Sequence, residues 1–270
     1  MIKDIRTNIK TILRDPVTIL ALLITIVLFL STAQLSVFMG DIESVRAIYL
    51  REDATHFAGN LVMNIVSAPI TYLATVFMGV IIAANLFKDR RNNAFDIIRS
   101  RNVSFLRYYL SKLISFYIIA VVFCALTSIF WCAVNFIFYI PSNPNFDIGL
   151  FFLKFLKNIL LSYSSCLLQI LGWPIFLSAL TGVPAVGAVF NAIYFYLWKF
   201  FGGPETYYYR FIHANPLEMQ AYMNKLVQPE PSILVPFASD ANIALLWQVG
   251  MGIVLLVSSY FLLKWRFKEA

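Results

Sequence analysis

An all-α membrane protein is the fold class that this 270-residue sequence predicts, and three observations predict it. Apolar residues make up 60% of the chain and charged residues 13%, against about half and about a quarter in a soluble domain. A soluble interior of this size is too small to hide so much apolar surface, whereas lipid solvates it. The uncharged residues also gather into runs of membrane-crossing length, and the basic residues are shared unevenly among the segments between those runs. The mean hydropathy of +0.75 and the 25 phenylalanines fit lipid-facing helices and interfacial belts.

A spanning helix needs about 20 residues without charge. Five such runs occur: Pro16 to Gly40, Phe57 to Phe87, Leu113 to Phe146, Asn158 to Trp198 and Ala241 to Leu263. The fourth is about twice the length of one span. Inside it, Gly172-Trp173-Pro174 and Thr181-Gly182-Val183-Pro184 carry the glycine and proline punctuation of a break. Splitting it there, with Lys154 and Lys157 snorkelling from the start of its first half, predicts six spans at about 16–39, 61–87, 107–139, 151–180, 184–201 and 241–263. Pro69, Pro174 and Pro184 read as kinks or boundaries, tolerated where neighbouring helices satisfy the freed carbonyls.

Charge tests that count. With the N-terminus inside, the inner segments hold 14 of the 21 basic residues, and the outer segments hold nine of the 14 acids. Five spans would turn the basic C-terminus outward, against the rule that keeps Lys and Arg inside. Six spans with both termini cytoplasmic satisfy it. The net charge of +7 is therefore a topology signal. No separate basic domain exists, which excludes nucleic acid as a partner.

The first 15 residues precede the spans. Ile2, Ile5, Ile9, Ile12 and Leu13 recur at helical spacing, with Lys3, Arg6, Lys10 and Arg14 opposite. This pattern predicts an amphipathic interfacial helix over 1–15, with Asp15-Pro16 as cap and first residue of the next helix. Ser31-Thr32-Ala33 resembles a signal-cleavage site, but the apolar run continues to Val37 and Phe38, which favours an uncleaved span. Outside, Asp41 to His56 is polar, Ile140 to Gly149 is a turn, and 202–240 is the largest extracellular segment. That segment holds Tyr207, Tyr208 and Tyr209, suited to the headgroup level, then a helical stretch from Pro216 to Val227.

The sequence shows no catalytic chemistry. It has no GxxxxGK[ST] phosphate loop, no HExxH and no CxxC. Cys124, Cys132 and Cys166 lie within apolar runs as inert thiols, and His56 and His213 fall in outer loops. The spans carry Gln34, Asn64, Asn135, Gln169, Asn191 and Gln248 but no carboxylate or amine at mid-depth, where ion-coupled carriers use one. Such amides serve mostly as hydrogen-bonding glue between helices.

The inner segment 88–106 is the informative one. It is basic and helical in pattern; Phe95 and Ile98 share one face, with Asp96 and Arg99 on a neighbouring one. An apolar knob flanked by charges suits insertion into a groove on a soluble partner. The segment resembles the cytoplasmic loop of ABC-2 type transporter permeases. Ala94-Phe95-Asp96-Ile97-Ile98 stands in that family's Thr-Leu-Glu-Leu-Leu place, Asn102-Val103-Ser104 in its Pro-Val-Ser place, and Ser111-Lys112 in its Gly-Lys place. Asn93 replaces the family's glycine, although Asn also tolerates a left-handed turn, and Asn102 replaces its proline.

The resemblance implies one permease half of an ABC exporter in the plasma membrane, multi-pass, in a bacterial inner membrane. It implies a second permease chain, identical or sister, and a separate ATP-binding subunit that holds the ATP and Mg, leaving this chain without a cofactor. That subunit would dock on the coupling loop through Phe95, Asp96, Ile97, Ile98 and Arg99, with Arg90 and Arg91 making charged contacts. The uncharged, aromatic spans suit a hydrophobic or amphipathic cargo such as a peptide, drug or lipid-like molecule. Three other readings compete: a secondary carrier or channel, against which the missing mid-depth charges count for a carrier; an intramembrane enzyme, which needs a polar catalytic cluster that the spans lack; and a non-transporting scaffold or immunity component, which shares the same layout. Co-purification with an ATPase separates the first from the permease. Substitution of His56 and His213 tests the second.

Overall fold

A computed structural model describes residues 1–24, 26–27, 70–91, 98, 100, 104–138, 147–158, 164–201 and 241–269. Every regular element among them is an α-helix. We number these α1 (Ile2–Leu13), α2 (16–24), α3 (Ile70–Arg91), α4 (Phe105–Phe138), α5 (Ile148–Asn158), α6 (Ser164–Thr181), α7 (Pro184–Phe201) and α8 (Ala241–Glu269). The segments 41–56 and 202–240, the far end of the first expected span and the start of the second, with Pro69, lie outside the described residues.

Among the described residues, two helices are long and apolar enough to cross a membrane: Phe105–Phe123 within α4 and Val249–Arg266 within α8. Shorter apolar stretches run through Phe77–Leu86, Leu167–Thr181 and Pro184–Ile193. The outer faces are apolar as well, with Leu126 61%, Leu153 65% and Phe261 60% exposed. Single exposed apolar residues are ordinary, but helix after helix of them is the surface of a protein that meets lipid or a partner.

Several helix ends are dictated locally. Asp147 caps α5, its Oδ1 accepting from the Gly149 and Leu150 N–H groups at 2.8 and 3.1 Å, so the turn expected over Ile140–Gly149 gives way to helix at Ile148. A short polar side chain there satisfies donors that the first helical turn leaves open. Asp15 precedes α2, and its carbonyl accepts from Ile19 N–H at 3.0 Å. Lys88 to Arg91 close α3, while Phe105 and Leu106 open α4, so helix enters the expected 88–106 loop from both sides. Between α6 and α7 the chain turns through Gly182, whose φ of 73° suits a residue without Cβ. Pro184 follows as the first residue of α7, where a missing N–H costs nothing.

Packing is tightest where side chains are smallest. α6 lies along α8, with Gly172 against Leu255 and Gly252 against Leu168. α7 sits between α3 and α6, with Gly79 of α3 against Ala188 and Asn191 of α7. Pro174, inside α6, cannot donate to the Ile170 carbonyl one turn earlier. Asn191 Nδ2, arriving from α7, lies 3.5 Å from that oxygen and supplies the missing donor. The interior is filled by Phe116, Phe151, Ile12, Met78, Ile81, Ile82 and Leu167, each under 2% exposed. Phe77 stacks on Phe123 with centroids 4.5 Å apart, joining α3 to α4.

α1 is amphipathic as expected from its spacing, but its apolar stripe is divided. Ile12 is fully buried in the core, Ile5 and Ile9 are half-buried, and Ile2 is 84% exposed. Ser115 Oγ of α4 reaches the Ile5 carbonyl at 3.3 Å. The helix is therefore seated on α4 as well as free to meet a bilayer surface.

Candidate functional site

Contacts between helix ends assemble one end of the bundle. Asp4 of α1 meets Arg107 of α4, with Nε 2.7 Å from Oδ2. Asp15, between α1 and α2, meets Lys88 of α3 at 3.5 Å. Asp89 of α3 meets Lys112 of α4 at 2.9 Å and accepts from Tyr108 Oη at 2.6 Å. Arg266 Nη2, near the end of α8, donates to the Leu180 carbonyl at 2.7 Å, beside the Gly182 turn. The end of α3, the start of α4, the α6–α7 turn and the end of α8 thus share one level with α1.

These contacts differ in weight. Asp4 and Arg107 have side chains 38% and 54% exposed, and exposed pairs contribute little. Lys112 and Asp89 are 12% and 17% exposed; a carboxylate this sheltered, holding both an ammonium and a phenol, fixes the relative positions of α3 and α4. One hydroxyl adds a further tie: Tyr109 Oη donates to the Leu256 carbonyl of α8 at 2.7 Å and lies 2.6 Å from Ser259 Oγ.

The Arg107 guanidinium and the N-terminal amine hold the Asp4 carboxyl below its ordinary pKa of 3.8. A depressed carboxyl contributes its stabilisation fully above the ordinary pKa and loses it as pH falls through the depressed one. Docking of α1 on α4 is therefore expected to be flat between about pH 5 and 8 and to weaken only in stronger acid. Asp4→Asn should reproduce at pH 7 what acid does to the natural chain. Protease cleavage within α1 measures both; a rise in wild-type cleavage already between pH 7 and 5 contradicts the assignment.

A cavity of about 370 Å³ opens between α1 and α4, bordered by Lys3, Thr7, Asn8, Arg107 and Ile98. Here the structure meets the residues expected to bind an ATPase. Ile98 is helical and only 9% exposed, so its side chain packs within this chain. Arg90 and Arg91 form the last turn of α3, but their side chains lie outside the described residues. Phe95, Asp96, Ile97 and Arg99 lie outside them altogether. The structure thus defines the two flanks of the segment and, within it, Ile98 and Ser100.

Asp89, Asp15 and Asp4 do not figure among the sequence-derived site residues. A signal existed: each is an acid in a strongly basic segment, and a carboxylate held there beside apolar runs needs a cationic partner. Among the described residues no group of three or more His, Cys, Asp or Glu is placed to hold a metal ion. No protein-family model matches the chain, and no curated protein matches it.

Proposed function

We propose that this chain is one permease half of an ATP-driven ABC-2 type exporter, a multi-pass protein of the bacterial plasma membrane with six spans and both termini cytoplasmic. A separate ATP-binding subunit docks on residues 88–104, and a second permease chain completes the pathway for a hydrophobic or amphipathic cargo. The observation that carries the reading is the ion-paired end of the bundle. Asp89 clamps the two flanks of the 92–104 segment together through Lys112 and Tyr108, and the more exposed pairs Asp4–Arg107 and Asp15–Lys88 set α1 beside them. A loop that must pass the closure of an ATPase to its spans needs such a footing, since coupling requires an element that differs between two states and is not free to slip.

Positive charge orients this end. Lys88, Arg107, Lys112 and Arg266 all lie there, and an end that gathers Lys and Arg belongs in the cytoplasm. Within the segment, Phe95 takes the part of the knob that enters the ATPase, with Asp96, Ile97, Arg99, Arg90 and Arg91 around it. Ile98, turned into its own chain, holds the knob in place.

Affinity capture of the tagged chain from native membranes tests this. A partner carrying a phosphate loop is expected to co-purify. Phe95→Asp should remove it at least tenfold while membrane insertion and yield stay unchanged. Retention of the ATPase by Phe95→Asp rejects the docking residue. Capture of no such partner, or labelling of a cysteine at Asn102 from the exterior face, rejects the permease reading itself.

A further inference from the structure

A second cavity, of about 720 Å³, lies at the same end between α2, α3 and α7. Its head is the Asp15–Lys88 pair; its wall is Ala83, Ala84 and Ala188, and its rim Val17, Val80 and Val189. The three valines are 44%, 36% and 56% exposed, so the slot opens sideways along the bundle. Alanines on both sides keep its walls free of bulky side chains. Its volume lies within the range of cavities that hold an organic ligand, about 300–1,000 Å³.

The head is under-used. Lys88 Nζ lies 3.5 Å from Asp15 Oδ1, longer than the ~2.8 Å of a charge-assisted hydrogen bond, and the lysine side chain is 44% exposed. An ammonium has three N–H groups, so this one keeps donors available towards the slot. Asp15, by contrast, is 8% exposed and borders the same space. The cavity therefore presents a cation and an anion side by side above an apolar trough.

We infer that this slot is a binding site for a zwitterionic phospholipid with a primary amine, of the phosphatidylethanolamine kind, drawn from the surrounding bilayer. The phosphate would take the open N–H groups of Lys88 and the amine would donate to Asp15, with one acyl chain along Ala84, Ala188 and Val189. In a bilayer the trough itself supplies shape and no driving force, because lipid tails are as apolar as the wall. Selection falls to the head, and the head is neutral overall. An anionic headgroup would meet Asp15 as a like charge. A choline headgroup carries its positive charge but no N–H to donate. This site rests on the chain's lying in a membrane and is independent of any ATPase.

The test is to exchange the protein into nanodiscs of phosphatidylethanolamine, phosphatidylglycerol and phosphatidylcholine in equal parts, then extract it mildly and count retained lipids by native mass spectrometry. Phosphatidylethanolamine should be enriched at least threefold over each of the others. Lys88→Gln should abolish the enrichment and Lys88→Arg should keep it. Ala84→Leu, which fills the trough and leaves the head intact, should lower total retention in a protein that still melts as wild type. Equal retention of the three lipids, a preference for phosphatidylglycerol, or undiminished enrichment in Lys88→Gln overturns the proposal. None of these results depends on whether an ATPase co-purifies.

Discussion

Asp89→Ala should destabilise the folded chain by about 3 kcal/mol or more, the usual consequence of removing one partner from a sheltered ion pair. The variant leaves Lys112, 12% exposed, with its charge uncompensated, and takes from Tyr108 the acceptor it holds at 2.6 Å. The loss is thus larger than the net worth of the pair, since it includes the penalty for an unmatched buried charge. Asp89→Asn keeps an acceptor for the phenol and removes only the charge, so it should fall between Ala and wild type. Joining Asp89→Leu to Lys112→Met removes both charges and should recover much of the loss. Thermal melting of the purified protein, followed by tryptophan fluorescence, ranks the four chains. If Asp89→Ala melts with wild type, the α3–α4 clamp is not a stabilising contact. Under the permease reading, the same variant should hydrolyse ATP in the complex with transport reduced, because the flanks of the 92–104 segment are no longer held together.

The features legible in sequence are those that depend on one residue type at one place. Gly182 and Pro184 mark the α6–α7 turn because few other residues suit a positive φ followed by a helix start. The spacing of Ile5, Ile9 and Ile12 marks α1 as amphipathic. Pro174 signals a freed carbonyl, and a neighbouring helix provides for it as anticipated; that the provider is Asn191 of α7 is not legible, because it depends on the rotation of one helix against another. The same holds for the ion pairs. Asp4 and Arg107 are 103 positions apart, and nothing in the local pattern of either names the other. Asp147 was readable as an N-cap but is masked in sequence by Pro141 and Pro144, whose turn signal dominates the segment. For Ile98, helical spacing grouped it with Phe95 on one face. Spacing defines a face but does not say whether it looks outward or, as at Ile98, into its own chain.

Gly187→Ala should be the most disruptive single methyl in the described part of the protein. A Cβ at Gly187 would overlap the Pro174 carbonyl oxygen and stand 2.6 Å from Ser178 Oγ. A side chain could rotate away, but the carbonyl belongs to the backbone of α6, so α6 and α7 must separate along their contact. Overpacking of this kind costs about 1–3 kcal/mol where the surroundings can shift, and here the obstacle is the rigid helix itself. Separation would also draw Asn191 away from the Ile170 carbonyl, already at 3.5 Å, leaving that oxygen unsatisfied in an apolar interior. Ser178 Oγ, which donates to the Pro184 carbonyl at 3.2 Å, would lose its place at the same turn. Gly250 is the control. A Cβ there meets nothing within 4 Å, so Gly250→Ala should leave stability unchanged or raise it by up to about 1 kcal/mol through helix propensity. Gly187→Ala should melt below wild type and Gly250→Ala at or above it, and Gly187→Leu should yield no folded protein. If Gly187→Ala matches wild type, the close approach of α6 and α7 is not a feature of the protein. The slot between α3 and α7 would then need another account of what holds its walls in register.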